Sequence, residues 1–196
     1  MEENDLNRKC KVLLIGGSAG SIEVLMSILP KLNPFYTFSI IIVLHRKSTE
    51  DTILEKLVAM KSVIPIAKLE DKEVLTPGYI YVAPSNYHLL LEKNQFLSLD
   101  VSEKVNYSRP SIDVTFESAA LAYGTQCFAI LLSGANSDGT KGLKTIKEYG
   151  GTVILQDPKE ALMPFMPENA LSAVTPDYIL NTPQILDFIN AIDASI

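Results

Sequence analysis

Three short apolar runs constrain the fold of this chain more than any other feature of its sequence. Each run is followed by a polar residue of a type that takes part in acyl transfer. The runs and their polar residues are 12–15 with Ser18, 39–44 with His45, and 128–132 with Asp138. Continuous apolar runs followed by helical patterns are typical of buried parallel strands. Ligands of open parallel α/β sheets bind outside the carboxyl ends of the strands, so the three residues are expected at one edge of one sheet. The leading interpretation is a hydrolase.

Alternating strand and helix patterns predict an α/β fold: an open, doubly wound, mostly parallel sheet with helices on both faces and a small antiparallel insertion. The insertion is expected to contain the strands at 79–82, 89–91 and 96–99, and Pro110 is expected at the first position of a helix. The other predicted strands cover 12–15, 38–44, 63–68, 127–132, 152–156 and 178–180. The predicted helices cover about 20–32, 49–60, 110–123, 140–149, 167–173 and the residues from about 183.

The composition is that of an ordinary globular domain and argues against several classes of protein. The chain has 196 residues, of which 47% are hydrophobic and 20% are charged, enough for one α/β core. A net charge of −6 disfavours a nucleic-acid partner. No apolar stretch approaches the roughly 20 residues of a membrane span, and the acidic N-terminus lacks a signal-peptide pattern, so we expect a cytoplasmic protein. Cys10 and Cys127 are expected to be buried and free of a disulfide.

The loop at Ser18 carries the most specific local motif. Residues 16–20 match G-x-S-x-G between a predicted strand and a predicted helix, the context in which that motif exposes a nucleophilic serine. The helix that follows presents unpaired N–H groups to an oxyanion. A phosphate-binding turn and a plain tight turn remain alternatives, whereas a Walker loop is excluded because no Gly-Lys-Ser/Thr follows.

His45 and His88 are the only histidines and hence the only candidate bases of this type. His45 ends a predicted strand opposite Ser18, whereas His88 is expected to be a structural or a surface residue. Asp138 could orient the imidazole, or it could simply cap the helix that follows it. Zinc binding is improbable because the histidines and cysteines lack a metal-site spacing.

Several blocks, in order along the chain, resemble the catalytic domain of the chemotaxis protein-glutamate methylesterases, the CheB family. The resemblance covers about residues 11–189. The blocks are 16–21, the strand ending at His45, 82–84 with His88, 109–113, 133–139, 156–157, and Met166-Pro167 with Ala170. The chain order Ser, His, Asp also differs from that of the α/β-hydrolases. We therefore expect a short tail over residues 1–10 and one methylesterase-like catalytic domain over residues 11–196.

The resemblance implies hydrolysis of γ-glutamyl methyl esters on the cytoplasmic helices of methyl-accepting chemoreceptors, with glutamine deamidation as a second activity and no cofactor. Ser18 would be the nucleophile, His45 the general base and then acid, and Asp138 the residue that orients His45. Ser18 Oγ should lie within hydrogen-bond reach of one His45 ring nitrogen, with Asp138 on the other. The oxyanion and substrate contacts implied by the resemblance are Ala19, Gly20, Ala135 and Met166.

The chain departs from the family pattern at several places. Ala19 and Ser21 stand where many members have Thr and Gly. Arg46-Lys47 stands where the family usually has Met-Pro after the histidine, and Glu168 stands where it has a basic residue after Met-Pro. Only about ten residues precede the first strand, so the expectation is a stand-alone form without the family's receiver domain, regulated, if at all, by a separate protein. Two alternatives remain open: a non-catalytic signalling or scaffold module, and a small-molecule esterase.

Overall fold

Six parallel strands form the central sheet of the structure, a computed structural model that describes residues 10–46 and 52–192. The strands are β1 (Val12–Gly17), β2 (Ser39–Leu44), β4 (Ile80–Val82), β7 (Cys127–Leu131), β8 (Thr152–Gln156) and β9 (Tyr178–Leu180). Their order across the sheet is β4-β2-β1-β7-β8-β9. The first nine residues of the expected tail, and the first residues of the helix predicted from about 49, lie outside the described residues.

Helices cover both faces of this sheet, which confirms the predicted fold class. They are α1 (Ser21–Ile28), α2 (Ile53–Lys61), α3 (Ile112–Tyr123), α4 (Thr140–Glu148), α5 (Phe165–Ala173) and α6 (Thr182–Ile192). Side chains of α1, α2 and α6 share one apolar core, and those of α3, α4 and α5 share the other. Successive β1 residues point alternately into the two cores, Leu13 into the first and Leu14 into the second. The continuous apolar runs are thus explained by burial on both faces.

The longest described helix, α3, has 12 residues. A bilayer core about 30 Å thick needs about 20 helical residues. No helix among the described residues is long and apolar enough to cross a membrane.

A second, antiparallel sheet has the order β3-β6-β5 and packs against α3. Its strands are β3 (Glu73–Val74), β6 (Phe96–Asp100) and β5 (His88–Leu91). The prediction that residues 79–82 belong to this insertion is wrong, because β4 pairs in parallel with β2 in the main sheet. All three β4 residues are buried, as expected of a parallel strand rather than a half-exposed antiparallel one. The two-residue β3 is too short to show a periodic pattern.

Two further sequence predictions are corrected by backbone chemistry. The strand predicted over 63–68 is only an isolated bridge between Ile66 and Ile80, since Pro65 lacks the N–H that a ladder requires. The helix expected to begin at Pro110 begins at Ile112, with Ser111 as its N-cap. The Ser111 hydroxyl accepts a hydrogen bond from Val114 N at 3.4 Å. A serine immediately before the first helical residue satisfies a backbone donor that the helix leaves unpaired.

Candidate active site

The loops that follow β1, β2 and β7 leave the sheet at the same edge. Gly17 of β1 pairs with Leu44 of β2, and Gly16 pairs with Leu131 of β7. Backbone hydrogen bonds continue past the strand ends, from His45 N to Gly17 O at 3.1 Å and from Ser18 N to Ser133 O at 2.9 Å. Parallel pairing in this register therefore places Ser18, His45 and the loop leading to Asp138 side by side.

His45 and Asp138 form a short, buried contact. The distance from His45 Nε2 to Asp138 Oδ2 is 2.6 Å, and the two side chains are 10% and 0% exposed. Exclusion of water from both partners strengthens the interaction relative to a surface pair. The sequence expectation that Asp138 faces one His45 ring nitrogen agrees with this geometry.

Asp138 accepts three further hydrogen bonds at the N-terminus of α3. Its Oδ2 accepts from Ile112 N at 2.7 Å, and its Oδ1 accepts from Ser111 Oγ at 2.9 Å and from Asp113 N at 3.1 Å. Burial raises the pKa of the Asp138 carboxyl, but the hydrogen bonds from His45 and Ile112 and the charge of His45 outweigh it, so the pKa is lowered overall. Asp138 is therefore ionised at neutral pH.

The alternative role of Asp138, as a cap of the helix that follows it, is wrong. The N-cap of α4 is Gly139, whose φ of 94° lies in the left-handed region, and no side chain caps that helix. The carboxylate instead points across the sheet edge to α3. In the sequence Asp138 precedes the start of α4, but its side chain accepts hydrogen bonds from the N-terminus of α3.

The second ring nitrogen of His45 is also occupied. Asn136 Nδ2 lies 3.1 Å from His45 Nδ1, and Asn136 Oδ1 accepts a hydrogen bond from Asp138 N at 3.1 Å. Sequence reasoning did not identify Asn136 as a site residue, because a polar residue in a Gly-rich loop gives no signal of its partner.

Ser18 lies at the open side of the site and is half-buried. Its N–H is held by Ser133 O and by Ser21 Oγ at 2.9 Å, but within the described part of the chain its hydroxyl makes no hydrogen bond. The expected contact of Ser18 Oγ with the second ring nitrogen of His45 is therefore not formed in this structure, where Asn136 takes that position.

The backbone of the Ser18 loop is shaped by the absence of side chains at two glycines. A Cβ on Gly17 would lie 2.1 Å from Ser21 Oγ, which also donates to Ser133 O at 2.7 Å. Gly20 has a φ of 86°, and a Cβ there would lie 2.6 Å from Ser133 Oγ. Ser21 thus joins the loops after β1 and β7, and both glycines are needed for their close approach.

Two backbone N–H groups without a hydrogen-bond acceptor among the described residues lie in the loops that meet at Ser18. Ala19 and Ala135 are exposed, and among the described residues neither N–H donates to a protein acceptor. Met166 does not share this position, because its side chain is fully buried and its N–H donates to Gly134 O at 2.9 Å. The expectation of a substrate contact at Met166 is corrected: its side chain packs where a Gly134 Cβ would lie and supports the loop from beneath.

A CheB methylesterase family model matches residues 13–189 of the chain. A relative from Leptospira interrogans is 43% identical and spans 93% of this chain and 95% of its own length. The protein-glutamate methylesterase/protein-glutamine glutaminase of Thermotoga maritima is 34% identical over 87% of this chain, which matches 50% of that protein. The crystal structure of the Thermotoga CheB methylesterase catalytic domain superposes with a TM-score of 0.88 at 32% identity, covering 94% of this chain and 99% of that one.

The chain belongs to the CheB methylesterase family. The resemblance seen in the sequence, the α/β fold and the interpretation as a methylesterase of the hydrolase class are confirmed by these comparisons, which do not favour the two alternatives. The chain spans about half the length of the Thermotoga relative.

Behind Asp138, the structure of this CheB-family chain contains a second buried carboxyl, Asp113. Its Oδ1 accepts from Gly142 N at 2.8 Å, and its Oδ2 lies 3.3 Å from Asn106 Nδ2. Burial, opposed by the Gly142 hydrogen bond and aided by the Asp138 charge, raises the pKa of Asp113 to about 6. Sequence reasoning treated residues 109–113 only as a block of resemblance and assigned this carboxyl no role.

Of the two roles that the sequence left open for His88, structural or surface, the structure shows the structural one. It is fully buried, its Nδ1 accepts from Ser111 N at 3.2 Å, and its Nε2 donates to Glu103 O at 3.0 Å. His88 thereby holds Ser111, which in turn donates to Asp138. Among the described residues, no group of three His, Cys, Asp or Glu side chains is placed to hold a metal ion.

Proposed function

We propose that this chain hydrolyses γ-glutamyl methyl esters of chemoreceptors by a Ser-His-Asp mechanism, with Ser18, His45 and Asp138 as the catalytic residues. The observation that carries the proposal is the 2.6 Å contact between His45 and an ionised, fully buried Asp138 at the strand end next to Ser18. A carboxylate in this position holds the imidazole tautomer and stabilises the imidazolium that forms during acyl transfer.

Acylation begins when Ser18 Oγ attacks the ester carbonyl carbon. Because Asp138 accepts the Nε2 proton of His45, Nδ1 carries the lone pair, and the Ser18 proton passes to Nδ1. The carbonyl oxygen becomes an oxyanion, for which the N–H groups of Ala19 and Ala135 are available donors. His45 then returns the proton to the departing methoxide, so methanol leaves and a γ-glutamyl ester of Ser18 remains.

Deacylation repeats these steps with water as the nucleophile. His45 Nδ1 takes a proton from water, hydroxide adds to the acyl carbon, and the proton returns to Ser18 Oγ as the C–O bond breaks. The product is a glutamate γ-carboxylate. A glutamine side chain would follow the same route with ammonia as the leaving group, which is the second activity in the name of the Thermotoga relative.

An apolar rim beside the site suits a protein substrate. Leu162, Met163 and Phe165 are 63%, 39% and 52% exposed. Leu162 lies where a Cβ on Gly20 would be, and Met163 O accepts the Gly134 N–H, so this segment borders both loops of the site. Exposed apolar side chains beside a cleft fit the apolar face of an amphipathic helix. We therefore propose the cytoplasmic helices of methyl-accepting chemoreceptors as the substrate, with the reaction in the cytoplasm.

Methanol release from methylated receptor fragments tests the proposal. Wild-type protein should release methanol, and Ser18→Ala should reduce the rate by about 10⁴-fold or more. Ser172→Ala is the matched control, because the hydroxyl of this exposed α5 serine donates to Asn169 O within its own helix and makes no other hydrogen bond among the described residues. Wild-type protein that releases no more methanol than Ser18→Ala would contradict the proposed function.

A further inference from the structure

The Asn136 side chain bridges the two groups that determine the chemistry of His45. Its Oδ1 lies 3.1 Å from Asp138 N, and its Nδ2 lies 3.1 Å from His45 Nδ1. A backbone N–H can only donate, so the carboxamide oxygen must face Asp138 N and the amide NH2 must face the imidazole. The orientation of Asn136 is thus determined by its neighbours.

The nitrogen that Asn136 faces is the one that must accept a proton. The ionised Asp138 accepts the Nε2 proton of His45, so the neutral ring has its single accepting lone pair on Nδ1. An Asn136 N–H donates to that lone pair. Ser18 Oγ, which makes no hydrogen bond within the described residues, needs the same lone pair to lose its proton.

We propose that Asn136 is a positioning residue that caps the proton-accepting Nδ1 of His45 in the resting site and competes with the Ser18 hydroxyl for it. This inference rests on the proposed Ser-His-Asp function. Asp138 alone holds the ring tautomer, so the net effect of Asn136 on acylation is inhibitory. Its carboxamide must move away from Nδ1 before Ser18 can be activated.

Asn136 is the member of this network that can move with the least loss. Asp138 is fully buried and accepts four hydrogen bonds, from His45, Ser111, Ile112 and Asp113. Asn136 is half-buried and lies between the exposed Ala135 and Ser137, and within the described residues its side chain makes only these two hydrogen bonds. In the enzyme–substrate complex the amide can therefore leave Nδ1 without breaking the pair of His45 and Asp138.

Among the described residues, the charged groups near His45 are Asp138, Asp113 and Arg46, and substitution of Asn136 changes none of them. Asp138 contacts the ring directly, and Asp113 lies behind Asp138. Arg46 follows His45 in the chain, but its guanidinium is held by two hydrogen bonds to Glu55, at 2.9 and 2.7 Å, and by one to Ala83 O. A difference in pH profile between wild type and an Asn136 variant therefore reports the amide itself.

Two substitutions remove the amide donor in different ways. Asn136→Ala removes both contacts, whereas Asn136→Ser keeps an oxygen that can accept from Asp138 N but cannot reach His45. In both variants kcat for ester hydrolysis should rise about 2- to 10-fold, the gain expected from removing one competing neutral hydrogen bond, with KM unchanged. Ser137→Ala, on the exposed neighbour, is the control and should match wild type. If Asn136→Ala folds poorly, Asn136→Ser carries the test.

The pH profile separates this effect from a structural one. The lone pair that Asn136 caps exists only on neutral His45. Removing the Asn136 amide therefore makes protonation of His45 easier. The acid limb of kcat should therefore move to higher pH in both variants, by about half a pH unit to one unit. Asn136→Asp should act oppositely on rate, lowering kcat at pH 7, because a second carboxylate stabilises the imidazolium. A kcat that rises less than twofold, or an acid limb that does not move, overturns the proposal.

A spectroscopic measurement keeps this test independent of the proposed function. The chain has two histidines, so ring ¹⁵N resonances of His45 can be assigned by their loss in His45→Gln. At pH 8 the Nε2–H tautomer should persist in Asn136→Ala, and the Nδ1 resonance should move toward that of an unbonded imine nitrogen. Identical Nδ1 resonances in wild type and variant overturn the cap, whatever the ester assay shows. An Nδ1 shift in a protein that releases no methanol would instead refute only the methylesterase function.

Discussion

The two sides of the site differ in how completely their polar atoms are bonded. On the side of the proposed base, His45, Asp138 is buried and accepts four hydrogen bonds, and both nitrogens of His45 have partners. On the side of the proposed nucleophile, Ser18, the serine hydroxyl and the N–H groups of Ala19 and Ala135 have no protein partner within the described residues. The base side is preorganised before substrate arrives, and the nucleophile side offers open positions for substrate atoms. Variants on the nucleophile side should therefore change rate alone, whereas variants on the base side should change both rate and stability.

The largest expected effect is the loss of catalysis when the proposed nucleophile or the proposed base is replaced. Ser18→Ala and His45→Ala should each lower kcat by about 10⁴-fold or more, and the double variant should be little worse than either, because the residues act as a unit. Steady-state methanol release measures these rates. Ser18→Ala should leave the free energy of unfolding almost unchanged, since within the described part of the chain the hydroxyl makes no hydrogen bond that the substitution could remove. Additive losses in the double variant would show that the two residues act separately.

Asp138→Asn should lower both the rate and the stability, which distinguishes it from the variants of Ser18. A carboxamide has one accepting oxygen, so its NH2 group must face either Ile112 N or Asp113 N, which are both donors. We expect a loss of about 1–3 kcal/mol in the free energy of unfolding, measured by urea denaturation.

The rate of Asp138→Asn should also fall, by about 10³- to 10⁴-fold, because the imidazole loses the partner that holds its tautomer. Stability equal to that of wild type would contradict the account of the base side, even if activity were lost. Ser18→Ala serves as the matched variant from the other side of the site.

The smallest predicted effect concerns Asp113 and appears only in the pH dependence of stability. Its pKa is raised to about 6 in the folded protein from an ordinary value of 3.8, so between these pH values the folded state binds more protons than the unfolded state. Its contribution to stability is present at low pH and is lost as the pH rises to about 6. Relative to wild type, Asp113→Asn should therefore gain stability as the pH increases from 4 to 6, and the difference should level off above that range.

Urea denaturation at several pH values measures this difference between Asp113→Asn and wild type. Asp187→Asn, which alters an exposed α6 carboxyl, is the control for a change of net charge. A pH-independent difference for Asp113→Asn would mean that this carboxyl is already ionised at pH 4.

The strand ends and their polar residues could be predicted from sequence because local patterns encode them. Apolar runs marked β1, β2 and β7, and the parallel-sheet rule then placed Ser18, His45 and Asp138 at one edge. The partners of those residues could not be predicted in the same way. Ser111 and Asp113 lie 27 and 25 positions from Asp138, and their contact depends on how α3 packs beside α4. No periodic pattern in the sequence predicts how these two helices pack.

The same distinction explains the errors in the fold. Residues 79–82 are an apolar run of the kind found in both sheets, and only the tertiary pairing of β4 with β2 decides which sheet contains them. Asp138 was ambiguous between a cap and an orienting acid because both roles favour an aspartate before a helix. The helix from whose N–H groups Asp138 accepts hydrogen bonds begins at Ile112, which precedes Asp138 in the chain. Sequence proximity therefore indicated the wrong helix.

Covalent labelling with a fluorophosphonate tests the central claim most directly, since the reagent forms a bond only with a serine activated by a neighbouring base. Mass spectrometry of the digested protein should find the adduct on Ser18. The adduct should be absent in Ser18→Ala, strongly reduced in His45→Ala, and formed faster in Asn136→Ala than in wild type. An adduct on another serine, such as Ser133, or undiminished labelling of Ser18 in His45→Ala would contradict activation of Ser18 by the pair of His45 and Asp138.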